Sequence, residues 1–166
     1  MRELFSRAGH ESKKLKMHEH LLCSMLPRDL SQDECTSLLS AARYGRLGLS
    51  KDNQPYVVPM SYVYEDGKIY LHSRGMGKKV EYVTENPHVC FQIDVLEKER
   101  WSSVVAFGIS RLSESAEAKQ KMFDVFTKKG QGGHAGKKFS REELERMPMT
   151  IWEIEIEEMT GKEGVW

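Results

Sequence analysis

From residue 44 onward, apolar and polar residues exchange places at every second position in one stretch after another, the period of a strand with one face on a core. The pattern predicts six strands: YGRLGLS over 44–50, PYVVPMSYVYE over 55–65, KIYLHS over 68–73, HVCFQIDV over 88–95, WSSVVAFGISRL over 101–112 and TIWEIEIEEM over 150–159. In the fourth, Val89, Phe91, Ile93 and Val95 share one face and Cys90 and Gln92 the other, so Cys90 reads as a packed thiol rather than a nucleophile. In the sixth, Ile151, Glu153, Glu155 and Glu157 oppose Trp152, Ile154 and Ile156. Asp52-Asn53 and Glu65-Asp66-Gly67 are turn signals between strands, and Gly108 marks a bulge or a close backbone approach.

Helical periods interrupt this alternation. Ser31 with Glu34 three residues on is a capping-box signature, and Leu38, Leu39 and Ala42 give the helix behind it an apolar face. Residues 79–84 are helix formers that Asn86-Pro87 must end. Ser113 or Ser115 caps a third helix over 116–129, with Met122, Phe123 and Phe126 as its buried stripe and Gly130 as its stop. A short helix over 142–147 ends at Pro148. Strands with antiparallel patterning and a few helices predict a mainly β (α+β) fold, a small barrel with peripheral helices. At 166 residues one domain is expected, over 25–166, preceded by an extension over 1–24.

That extension is polar and basic and carries His18, His20 and Cys23, which do not share one helical face; it reads as a surface or dimer-contact helix rather than a metal site. The glycine-rich run GQGGHAGKK over 130–138 reads as a mobile loop, with His134 an exposed loop histidine. Charge narrows the function classes. Lys plus Arg and Asp plus Glu number 25 each, so no overall field draws the chain to nucleic acid or to an anionic membrane. No apolar run approaches the roughly 20 residues of a membrane span, and the amino terminus lacks a signal-peptide core; a cytoplasmic protein is expected. Three cysteines at 23, 35 and 90 suit neither a disulfide framework nor a zinc site, and reduced thiols follow.

One loop carries candidate chemistry. Ser73-Arg74-Gly75-Met76-Gly77-Lys78-Lys79 sets three cations, a hydroxyl and two glycines just before a predicted helix, a place where an anion such as phosphate can sit. The same composition also describes an ordinary solvated turn. The loop has neither the GxxxxGK[ST] nor the GxGxxG spacing, and no paired carboxylates, Ser/His/Asp set or metal cluster forms a local motif.

The segments RDLSQDEC, YGRLGLS, PYVVPMSY, YLHSRGMGKK, ENPHVCFQID, SSVVAFGISRL and IEIEEMTGK, in this order over 25–162, resemble the pyridoxamine 5'-phosphate oxidase-like superfamily of FMN-binding split barrels, and within it the nitroimidazole-resistance type. The resemblance implies a six-stranded Greek-key split barrel, a homodimer, and FMN in a groove between subunits. It assigns the strand Val57, Val58, Pro59, Met60, Ser61 and Tyr62 to the flavin ring and ribityl chain, and His72 and Ser73 to the ribityl and phosphate. Lys78 and Lys79 match the cations on the phosphate, and Ser103 matches a polar cofactor contact. His72 is the candidate catalytic residue. The expected function is an FMN oxidoreductase acting on a small electrophile such as a nitro compound; an FMN carrier or redox sensor without turnover, or a haem-binding relative, are the alternatives. The substrate-clamping pattern of the true pyridoxamine phosphate oxidases has no match in EMTGKEGVW, so oxidation of that substrate is not expected.

Overall fold

In the computed structural model, which describes residues 26–130 and 136–166, antiparallel strands form one sheet that is bent around a core. The readings of His18, His20, Cys23, His134 and the 1–24 extension lie outside the described residues. The elements run β1 (Arg28–Asp29), α1 (Gln32–Ala41), β2 (Tyr44–Lys51), β3 (Gln54–Ser61), β4 (Val63–Glu65), β5 (Lys68–Ser73), α2 (Lys78–Glu85), β6 (His88–Glu97), β7 (Arg100–Ser113), α3 (Ala116–Lys128), α4 (Arg141–Arg146) and β8 (Thr150–Val165).

The sheet order is β3-β2-β6-β7-β8-β5-β4, with β1 added on β8. The neighbours β2–β6 and β5–β8, distant in sequence, are the crossovers of the Greek-key arrangement. The architecture is the mainly β split barrel, with eight strands where six were expected. One extra strand is the two-residue β1, too short to show an alternation; the other arises at Tyr62. The predicted strand over 55–65 breaks there into β3, which pairs with β2, and β4, which pairs with β5. Both ends of the ladder path thus belong to one segment, and the ring is completed by the chain itself rather than by a further ladder. Tyr62 makes the break by leaving the sheet: its N–H donates to Arg43 O at 3.2 Å, its hydroxyl to Leu39 O at 2.7 Å. Complete burial raises its pKa well above the usual phenol range.

The local signals work as their chemistry requires. Ser31 and Glu34 form a reciprocal capping box on α1, and Ser140 and Glu143 form another on α4. Asp52, Asn53, Asp66 and Gly67 all take positive φ, the backbone that a two-residue hairpin loop demands. At Gly108 the β7–β8 register slips, and a Cβ there would lie 2.1 Å from Glu155 O, which only glycine avoids. The last strand is longer than its alternation predicts. It continues to Val165 because β7 and β1 hold it: Trp101 stands opposite Gly164, and Arg28 opposite Glu163.

Two apolar clusters result. The main one fills the barrel with Leu47, Phe91, Ile93, Val104, Trp152 and Ile154, among others. A second lies under α3, where Met122, Phe123 and Phe126 meet Val63, Tyr70 and Ile151. Lys119, which its charge would place in solvent, is 2% exposed and donates to Leu144 O and Met147 O, both at 2.9 Å. It thereby adds a charged donor to two carbonyls at the end of α4 that already accept the N–H groups of Met147 and Met149. No helix among the described residues is long and apolar enough to cross a membrane.

Candidate binding site at the basic loop

The loop between β5 and α2 is fixed at both ends. Gly77 precedes α2 with φ +114° and no side-chain cap, so the first amides of the helix lack a side-chain acceptor. Val80 N–H and Glu81 N–H both donate to Gly77 O, at 2.9 and 3.1 Å, which tightens the first turn. Around this turn lies an open recess of about 630 Å³ lined by Gly75, Met76, Gly77, Lys78, Val80, Glu81 and Tyr82.

Its cations differ in their surroundings. Lys78 Nζ stands over the rings of Tyr56 and Tyr82, 5.0 and 5.4 Å from their centroids, and is anchored there by cation–π attraction. Lys79 is half-buried and Arg74 exposed. The acidic residues of α2 do not neutralise them, because Glu81 and Glu85 both bind Lys51 at 2.6 Å. That pairing lowers the pKa of Glu81, chiefly through the hydrogen bond from Lys51. Among the described residues Arg74, Lys78 and Lys79 enter no ion pair. Uncommitted cations beside uncapped helix amides form a donor set suited to a phosphate.

The other expected site residues distribute over distinct surroundings. On β3, Val58 and Met60 pack against the main cluster while Val57, Pro59 and Ser61 are exposed. Val57, 62% exposed, joins Pro55, Cys90 and Phe107 in a groove of about 370 Å³ on the outer face of the sheet. Cys90 occupies the space that the missing Cβ of Gly48 leaves, since its Sγ lies 2.5 Å from where that atom would be.

His72 lies with the second cluster, its ring 6.3 Å from that of Phe126 in an edge contact; Lys78 sits on tyrosines of the main cluster. Ser73 is held by the protein itself: its hydroxyl accepts from Trp152 Nε1 at 2.9 Å and donates to Arg74 O at 2.8 Å.

Ser103 belongs to another network on the outer face. It accepts from Gln92 Nε2 at 3.0 Å and donates to Ile93 O at 3.1 Å, while Arg46 donates to Gln92 Oε1 at 3.0 Å and pairs with Asp94. Arg46, Gln92 and Asp94 escaped the sequence reading; the polar side of the alternating strand β6 was the available signal. Trp152, Thr150 and Glu114, which meet the loop from beneath, left no local signal. A recess of about 440 Å³ between α3 and α4, lined by Glu117, Lys121, Asp124 and Arg141 among others, holds none of the expected residues. No group of three or more potential metal ligands occurs among the described residues.

A family model described as pyridoxamine 5'-phosphate oxidase matches residues 31–163. The chain is similar to the crystal structure of an FAD-binding protein of Mesorhizobium loti, at 34% identity and a TM-score of 0.69, over 84% of this chain and 99% of that one. A candidate 5-nitroimidazole antibiotic resistance protein of Bacteroides thetaiotaomicron shares the fold at a TM-score of 0.74 and 24% identity, over 84% of this chain and 88% of that one. An uncharacterized protein of Rhizobium meliloti is 34% identical over 85 residues, 51% of this chain, and the match spans 56% of that relative's length.

Proposed function

Since the chain belongs to the pyridoxamine 5'-phosphate oxidase family, we propose that it is an FMN-binding flavoprotein, an oxidoreductase that reduces a small electrophile such as a nitro compound. The observation that carries the cofactor assignment is the uncommitted basic loop: Lys79 and Arg74, without ion pairs among the described residues, beside the uncapped amino terminus of α2. A terminal phosphate takes charge-assisted bonds from these groups, and Lys78, held on Tyr56 and Tyr82, adds its field. The exposed side of β3 and the apolar groove through Val57 and Phe107 supply a surface for a flat ring. A second copy of the chain covers that surface, so the reading includes a homodimer.

The bound flavin supplies the electron transfer; the chain binds, orients and shields it. His72 is the candidate catalytic residue, and His72→Gln tests it through kcat at unchanged flavin occupancy.

The absorption spectrum of the purified protein, followed by titration with FMN and FAD, tests the cofactor. Flavin bands and tighter binding of FMN support the reading, while haem bands or preference for FAD replace it. The Mesorhizobium loti relative, described as FAD-binding, makes that second titration necessary. Oxidation of NADH or NADPH with and without nitro acceptors tests the activity. FMN binding without acceptor-dependent turnover would make the protein a carrier or redox sensor instead.

A further inference from the structure

The basic loop rests on the start of β8. Ser73 and Thr150 are register partners, as are Leu71 and Trp152. From that strand Trp152, completely buried, donates its indole N–H to Ser73 Oγ at 2.9 Å, and the Ser73 hydroxyl donates in turn to Arg74 O at 2.8 Å. One residue further, the missing side chain of Gly75 leaves room for a second support: a Cβ there would lie 2.6 Å from Glu114 Oε1 and 3.1 Å from Thr150 Oγ1. Thr150, 3% exposed, donates to that same carboxylate oxygen at 2.7 Å.

A hydroxyl has one proton to give. The Ser73 proton is committed to Arg74 O, and one of its lone pairs to Trp152, so the group that sequence likeness assigns to the cofactor is engaged within the protein. We propose that Ser73 is a positioning residue rather than a phosphate ligand, and that Trp152 is its partner: the pair ties the first peptide of the basic loop to the barrel core and holds Arg74 to Lys79 ready for an anion. Preorganisation of this kind raises affinity by lowering the ordering cost of binding. The inference rests on the flavin-phosphate reading for its functional consequence, but the tie itself exists in the ligand-free protein and can be observed there.

The test has one arm in each state. In ¹⁵N-labelled ligand-free protein, Ser73→Ala should move or deprotect the Trp152 indole N–H while Trp101 and Trp166 stay unchanged, and should speed amide exchange over 74–79. Normal exchange of the β6 and β7 amides shows that the variant is folded. In FMN titrations, Ser73→Ala and Trp152→Phe should each weaken binding about threefold to tenfold, the range for one neutral hydrogen bond. The double variant should be no weaker than the weaker single, because both remove the same tie. Ser73→Thr, which keeps the hydroxyl, should restore affinity. A direct ligand behaves otherwise: Ser73→Ala leaves loop exchange and the indole signal unchanged, and the two losses multiply. Either of those results overturns the proposal. An unchanged FMN affinity in both single variants also overturns it, whereas failure of the wild-type protein to bind FMN sinks the flavin reading and leaves the ligand-free arm to judge the tie.

Discussion

Lys79→Ala separates a ligand cation from a structural one. The side chain is half-buried in the first turn of α2 and has no ion-pair partner among the described residues. Its removal breaks no native pair, and alanine is at least as good a helix former as lysine, so stability should change by no more than about 0.5 kcal/mol. A hydrogen bond from this ammonium to a phosphate is worth roughly 1.5 to 3 kcal/mol, which translates into about a ten- to hundredfold loss of FMN affinity. Riboflavin, which lacks the phosphate, should bind wild type and variant alike. Flavin fluorescence quenching with both ligands, alongside a denaturant titration, reads all three quantities. Lys78→Ala should differ: it also removes two cation–π contacts, each worth roughly 0.5 to 1 kcal/mol at exposed sites, and should lower the melting temperature. Equal losses for FMN and riboflavin in Lys79→Ala, or no loss for FMN, would refute the reasoning and return the loop to an ordinary turn.

Other expectations concern the frame that carries the loop. Gly108→Ala forces a Cβ to 2.1 Å from a backbone oxygen and should destabilise the protein by about 3 kcal/mol or more, measured by urea unfolding. Lys119→Met removes two charge-assisted bonds, although Leu144 O and Met147 O each keep a backbone donor, and should cost about 1.5 to 3 kcal/mol; a loss under about 0.5 kcal/mol would show that the ammonium contributes nothing net. Glu34, held at a pKa of about 2 by its bond from Arg28 and then by Ser31, binds fewer protons folded than unfolded. Its contribution is present above its unfolded pKa, near the usual carboxylate value, and fades as pH falls toward about 2, so Glu34→Gln should flatten the stability profile in that window. The site is exposed and the effect should shrink in high salt.

The elements of the fold were legible where one face of a strand or helix decides the pattern. Alternation in β6 and β7 is strict because Phe91, Ile93, Val104 and Ala106 point into the barrel while their neighbours point out. The turn at Asp52-Asn53 and the capping box at Ser31 were legible because their chemistry spans only a few residues. What escaped depends on contacts between distant parts of the chain. Tyr62 breaks its strand in favour of bonds to Leu39 and Arg43, and β8 outruns its alternation because β1 and β7 pair with residues 160–165. The basic loop was visible as composition, but its supports were not. Trp152 and Ser73 stand 79 residues apart, and Glu114 and Thr150 36 apart, so neither bond has a local signature. The candidate cations are legible because they stand next to one another in sequence; that they enter no ion pair among the described residues depends on Lys51, 30 residues from Glu81, which binds Glu81 and Glu85.

The most direct measurement is a crystal structure of the protein loaded with FMN. The account predicts the phosphate at the start of α2, with Lys79 Nζ within about 3 Å of a phosphate oxygen and amides of the first turn donating to it. A phosphate bound elsewhere, with Lys79 still in solvent, would contradict it.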